Sequence, residues 1–243
     1  MSDTHTLVGN PFASNVELDQ ISGNDTGVGV NNGLTSPISI WNDATSSYQT
    51  FNLGEGSELS AWQGFFIERN SASTTSLTFP VLSKTDSTAD AAIFSKRVAE
   101  QFRSIDLQLS NNDYNDHSTK LYFSTISDEL KDGYDGSKLS SINASPTIAF
   151  LQNFGDGEEL LTQDARAFEL DTEQNYELVL NDAGVSGEYA LSWETMKNIP
   201  SHWEIILTDL VTNESINMQS ENSYTFDVIA KQKRPNRTVL ELP

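Results

Sequence analysis

Apolar runs of about four to eight residues recur along this chain, each closed by a cluster of Ser, Thr, Asn, Asp or Gly. That punctuation favours β structure throughout. Alternation is plain in Ile105-Asp106-Leu107-Gln108-Leu109 and in Tyr176-Glu177-Leu178-Val179-Leu180, the pattern of strands with one dry face and one wet face. The spacing predicts strands at residues 6–8, 38–41, 48–52, 64–68, 76–81, 103–109, 120–125, 147–151, 166–170, 175–180, 188–193, 203–209, 224–229 and 238–240. Residues 90–102 are helix-compatible but carry no long stripe of period 3.6, and they read as a linker running into a strand; residues 127–131 could form a single helical turn. The expected fold class is therefore all-β.

Two phrases about fifty residues apart are the most distinctive, Leu7-Val8-Gly9-Asn10-Pro11-Phe12 and Ala61-Trp62-Gln63-Gly64-Phe65-Phe66-Ile67. In the first, Asn tolerates left-handed backbone and Pro removes a donor, so the β run stops. In the second, Gly64 lets one backbone pass close to another. The polar stretch Ser83–Asp90 has no apolar anchor and marks a boundary. The expected organisation is a small β domain at 1–85, a linker at 86–94, and a larger immunoglobulin-like or jelly-roll-like sandwich at 95–243.

Charge narrows the partners. The formal net charge is −21, a surface that repels nucleic acid and anionic lipid. It suits surroundings rich in salt or calcium and also serves plain solubility. Cysteine is absent, which removes disulfides, thiol catalysis and thiolate metal sites together. No stretch approaches the roughly 20 apolar residues of a membrane span, and no charged n-region with an apolar h-region follows Met1. Membrane insertion is not expected. The chain reads as a piece of a longer parent.

Catalytic constellations are sparse. Only His5, His117 and His202 could act as a base, and no G-x-S-x-G is present, so a serine triad is not expected. Glycoside hydrolysis needs only two carboxylates. Glu194 and Glu204, each beside a Trp, are the acids with a distinctive setting, and both read as outward positions of alternating strands. A hydrolase with an unrecognised carboxylate site remains the least favoured alternative.

Calcium is the one candidate ion, because it takes six to eight oxygens from carboxylates, amides and carbonyls. Candidate ligands are Asp113, Asn115 and Asp116 in one loop, Asp132 and Asp135 in a second, and Asp156 in a third. Ordinary turns use the same residues. Trp41, Tyr48 and Trp62, with Asn42, Gln49 and Gln63 as hydrogen-bonding companions, form a candidate carbohydrate platform. The alternative for those rings is the core of a small domain, where aromatics bring large burial.

The order of several phrases resembles a known family region. Leu7–Phe12, Ile38–Asn42, Tyr48–Phe51, Gln63–Ile67, Lys120–Phe123, Tyr134–Leu139, Glu188–Leu191, Ile206–Asn213, Tyr224–Phe226 and Asn236–Leu240 follow one another as in the β-rich region upstream of the sorting domain in surface proteins exported by the type IX secretion system of Bacteroidetes. Two departures stand out. Thr4-His5-Thr6 occupies the region where that family often has a Trp, and the chain stops at Pro243, where a linker and sorting domain are expected to follow. The resemblance implies secretion and cell-surface display, with signal peptide and sorting domain outside this chain, and no defined catalytic activity. The expected role is a non-catalytic scaffold, spacer or adhesive module, working beside other domains of its parent chain. The alternative is a carbohydrate-binding module that anchors an enzyme to polysaccharide or surface glycan.

Overall fold

The computed structural model describes residues 5–45, 47–85, 102–139, 146–155, 157–168, 173–181, 186–229 and, as backbone, 238–242. The predicted linker at 86–94 lies outside them. The described chain is all-β, with two 3₁₀ turns at Leu18–Gln20 and Val81–Ser83. Residues 127–130 are irregular chain rather than a helical turn. It divides into two compact units that are not contiguous in sequence. Residues 5–41, 50–85 and 131–136 form the first, and residues 42–49, 102–130 and 137–242 belong to the second.

The first unit is built on strands β1 (His5–Gly9), β2 (Asn15–Glu17), β3 (Leu34–Asn42), β5 (Glu58–Leu59), β6 (Gly64–Arg69) and β7 (Lys84–Thr85), while β4 (Ser47–Phe51) has only its last two residues in this unit. One sheet has the order β1-β6-β3-β4 and a smaller one β5-β2-β7. Its core holds Val16, Leu18, Ile21, Ile38, Ile40, Leu59, Phe65 and Ile67 among others. Alternation explains the choice: Ile38 and Ile40 in β3 and Phe65 and Ile67 in β6 point inward, each side chain worth about 1.5–3 kcal/mol on burial.

Residues 76–81 form no strand. Thr78 makes a lone bridge to Ser22, the Asn24 carboxamide accepts the Thr75 and Ser76 N–H groups, and Leu77 and Phe79 pack singly on the core. β2, β5 and β7 span three residues or fewer, too short for a periodic signal.

Segment 131–136 completes this unit. Tyr134 packs against its core, and the Ser36 N–H donates to the Gly133 carbonyl at 2.6 Å. A Cβ at Gly133 would meet backbone atoms of Gly29 and Val30 at 2.8–2.9 Å, so only glycine fits so close an approach.

The second unit carries β8 (Phe102–Ser110), β9 (Asn115–Ser124), β10 (Gly136–Ser137), β11 (Thr147–Asn153), β12 (Glu158–Ala167), β13 (Gln174–Asn181), β14 (Gly187–Lys197), β15 (Ile206–Asp209), β16 (Glu214–Asn217), β17 (Ser223–Val228) and β18 (Thr238–Leu242). They follow the order β16-β15-β18-β13-β11-β12-β9-β8-β14-β17, with β10 on β12. Along the path from β16 to β17 pairing is antiparallel except for β12 beside β9. The sheet curls, as wide twisted sheets do: Met218 near one end and Phe226 at the other share one core with Phe123, Phe150, Tyr189 and Trp193. Phe123 and Trp203 meet edge to face at 5.3 Å, and the Arg103 guanidinium lies 5.0 Å from the Trp203 ring.

β12 begins well before the predicted 166–170, whose last two residues lie outside the described set. Thr162, Gln163, Asp164 and Arg166 are all buried, so this interior strand shows no hydrophobic alternation. The 212–215 turn signal also hides a strand. Asn213, left-handed at φ 57°, makes the bend, its N–H donates to the Asp209 carbonyl at 2.7 Å, and β16 starts at Glu214.

Candidate functional site

The two distinctive phrases are neighbours in the fold. β1 and β6 run antiparallel with His5 opposite Glu68, Leu7 opposite Phe66 and Gly9 opposite Gly64. Beyond that pair, Asn10 is buried at 2 % exposure and ties the two phrases together. Its backbone N–H donates to the Gln63 carbonyl at 2.9 Å. Its carboxamide NH₂ donates to the Ser60 and Ser14 carbonyls, both at 2.9 Å, and its oxygen accepts the Phe12 N–H at 3.0 Å. The Gln63 N–H closes the 60–63 turn on the Ser60 carbonyl at 3.1 Å.

This turn presents Trp62 to solvent at 67 % exposure. Trp41 is half-buried near the end of β3, and Tyr48 in β4 is 7 % exposed. Trp41, Trp62 and Gln63 belong to the first unit, whereas Asn42, Tyr48 and Gln49 group with the second. Gln63, Asn42 and Gln49 are all half-buried, and the Gln63 side-chain amide donates to the Gly64 carbonyl at 2.9 Å. The six candidates thus do not form one exposed platform: Trp62 is outward and Tyr48 is inward. The role of Asn10 was hidden in a phrase that reads only as a strand stop.

The calcium candidates are also dispersed. Asp113 is exposed and Asn115 half-buried at the β8–β9 turn, where the Asn111 carboxamide oxygen accepts the Asp113 and Tyr114 N–H groups. Asp116, near the start of β9, is buried in an ion pair. Its carboxylate faces Lys138 Nζ at 2.8 Å, and both side chains are 3 % exposed. It also accepts the Ser118 N–H, the Ser118 hydroxyl and the Ile148 N–H. Lys138 donates further to the Ser118 and Thr119 hydroxyls at 2.6 and 2.9 Å. Burial pushes the Asp116 carboxyl up, but the ammonium and these hydrogen bonds outweigh it and hold the group below the usual carboxylate range. The pair is a structural clasp, with the carboxylate lone pairs already engaged.

Asp132 and Asp135 shape the inserted segment of the first unit. The Asp132 carboxylate accepts the Tyr134 N–H at 2.6 Å, and the Asp135 carboxylate accepts the Asp132 N–H at 2.9 Å. They fold the plug that carries Tyr134 into the core. Asp156 lies outside the described residues. Among the described residues no three His, Asp or Glu side chains converge as a metal-holding group.

A second buried ion pair sits at the edge of the larger core. Arg166 Nη2 lies 2.5 Å from Asp164, the Gln152 amide donates to Asp164 at 2.6 Å, and the Arg166 guanidinium donates to the Glu129 carbonyl at 3.0 Å. Burial raises the Asp164 carboxyl despite Arg166, and it raises the Tyr176 phenol nearby. Of the histidines, His5 lies 3.9 Å from Glu68, His202 is exposed, and His117 is half-buried. Desolvation holds His117 below its ordinary value against the attraction of Asp116 and Glu194.

Glu194 is exposed, and so is Glu204. Glu194 sits where the β14–β8 register shifts between Ser192 and Thr195, beside an open groove of about 760 Å³ lined by Trp193, Met196, Asn198, Met218 and Asn222. Trp193 itself is buried, and its N–H donates to the Met218 and Glu221 carbonyls at 2.8 and 2.7 Å. Among the described residues no helix is long and apolar enough to cross a membrane. No family model, curated protein or solved structure matches the chain.

Proposed function

We propose that this chain is a non-catalytic extracellular β module of a larger secreted or cell-surface protein, acting as scaffold, spacer or adhesive, of the kind that precedes the sorting domain in type IX secretion substrates. The observation that carries the reading is where its strong polar groups go. Asp116 with Lys138 and Asp164 with Arg166 are buried against each other and against backbone groups, an arrangement that orders a fold. A net charge of −21 keeps such a module soluble, and the order of the phrases in the sequence is what supports the resemblance to that region.

Protease shaving of intact source cells, followed by immunodetection of this chain, tests the reading. The expected result is loss of the signal from whole cells while a cytoplasmic marker stays intact. A signal that resists protease until the cells are lysed contradicts surface display. Turnover on a panel of glycosides and esters, abolished by one carboxylate substitution, contradicts the non-catalytic part.

A further inference from the structure

Among the described residues, left-handed backbone is otherwise confined to those that tolerate it. Among the described residues with positive φ, all are Gly or Asn except Trp62, at φ 63°. A bulky side chain in that region is an outlier that persists only where the surroundings over-determine it. Here the over-determination is visible. Asn10, buried beneath the turn, bonds to both Ser60 and Gln63 carbonyls, and the Gln63 N–H returns to Ser60. Glycine or asparagine would fit the same turn without strain, as at Asn31, Asn32, Asn198 and Asn213. The ring is nonetheless there, and it is 67 % exposed, whereas Trp193 and Trp203 are 3 % and 6 % exposed.

Gly9 and Gly64 face each other across β1 and β6, both exposed; a Cβ at Gly9 would meet nothing within 4 Å, whereas one at Gly64 would touch the Leu7 side chain at 3.8 Å. Leu7, two residues along β1, is 63 % exposed, and its partner Phe66 is half-buried. An outward indole, on a turn that leads into this glycine pair and the exposed Leu7 side chain, suits the apolar face of a pyranose ring, which stacks on aromatic surface while its hydroxyls stay wet. The charge of −21 disfavours anionic polymers.

We propose that the Trp62 turn is a stacking site for neutral polysaccharide, built by the Asn10 clamp on the β1–β6 edge. The site gives the adhesive part of the reading above its contact and rests on that reading for access to extracellular glycan. Its failure would leave the surface-shaving result untouched.

Native affinity electrophoresis of the full chain tests it, in gels containing soluble β-glucan, xylan, galactomannan or α-glucan, with polygalacturonate as the anionic control. The wild type is expected to be retarded by at least one neutral polymer and not by polygalacturonate. Trp62→Ala is expected to weaken that retardation about tenfold or more, and Trp62→Phe by less. Melting temperatures of both variants are expected to stay within about 2 °C of wild type, as for surface substitutions. Absence of retardation in every neutral gel overturns the site, and so does retardation that Trp62→Ala leaves unchanged. Self-association of the wild type that Trp62→Ala abolishes, without polysaccharide binding, also overturns it by making the ring a contact between copies.

Discussion

The Trp62 turn of the first unit and the Asp116–Lys138 clasp of the second handle local cost in opposite ways. At the clasp, two charges leave water and recover the loss through each other and through the hydroxyl and N–H groups of Ser118, Thr119 and Ile148. At the turn, a bulky residue adopts an unfavourable backbone and its ring recovers little, because it stands in solvent. The difference teaches where to look for function in this chain. Buried charge at the clasp is closed on itself, and the strained residue at the turn points outward.

The largest expected effect comes from opening the clasp. Asp116→Ala or Lys138→Ala alone leaves one buried charge without its partner and should cost about 3–5 kcal/mol. The double variant should cost clearly less than the sum of the singles. Urea unfolding midpoints check this, and single-variant losses below about 1 kcal/mol would place the pair with ordinary surface ion pairs.

The pH dependence sharpens the same contrast. The folded Asp116 carboxyl is depressed, so its stabilisation is present above the unfolded value near 3.9 and is lost as pH falls through the lower folded value. The folded Asp164 carboxyl is raised. Its contribution therefore has the opposite sign, present below the unfolded value and lost as pH rises through the folded one. Denaturation midpoints across the acid range should fall less steeply with acid in Asp116→Asn than in wild type. An unchanged acid limb in that variant would contradict the assignment.

Asn10→Ala gives a smaller effect. It removes the side-chain bonds to Ser14, Ser60 and Phe12 from a buried position and should cost about 1–3 kcal/mol. The same change should raise hydrogen-exchange rates at Gln63 more than at Phe123 in the other unit, because local opening follows local bonding.

The sequence was legible where one face of a strand is dry. β8 and β13 alternate, and both emerge near their predicted bounds. It was illegible where polar residues face inward, as in β12, whose Thr162, Gln163, Asp164 and Arg166 carry the composition of a loop. Asp132-Gly133-Tyr134-Asp135 read as a calcium loop because a tight turn and a ligand loop draw on the same residues. The close backbone approach of Gly133 to Gly29 and Val30 is not visible in that pattern. Trp41, Tyr48 and Trp62 were indistinguishable as aromatics among amides, since exposure depends on which strand lies beside them. The pairing of the Leu7 and Phe65 phrases depends on contacts about sixty residues apart, which local pattern does not encode.

The most direct test of the outward-pointing claim is a paired measurement on Trp62→Gly: its melting temperature and its retention by neutral polysaccharide. The two are expected to move apart. Relief of the left-handed strain should raise stability by about 0.5–1 kcal/mol, while retention falls to the Trp62→Ala level. A lower melting temperature with retention preserved would contradict it, and would make Trp62 a structural residue of the first unit.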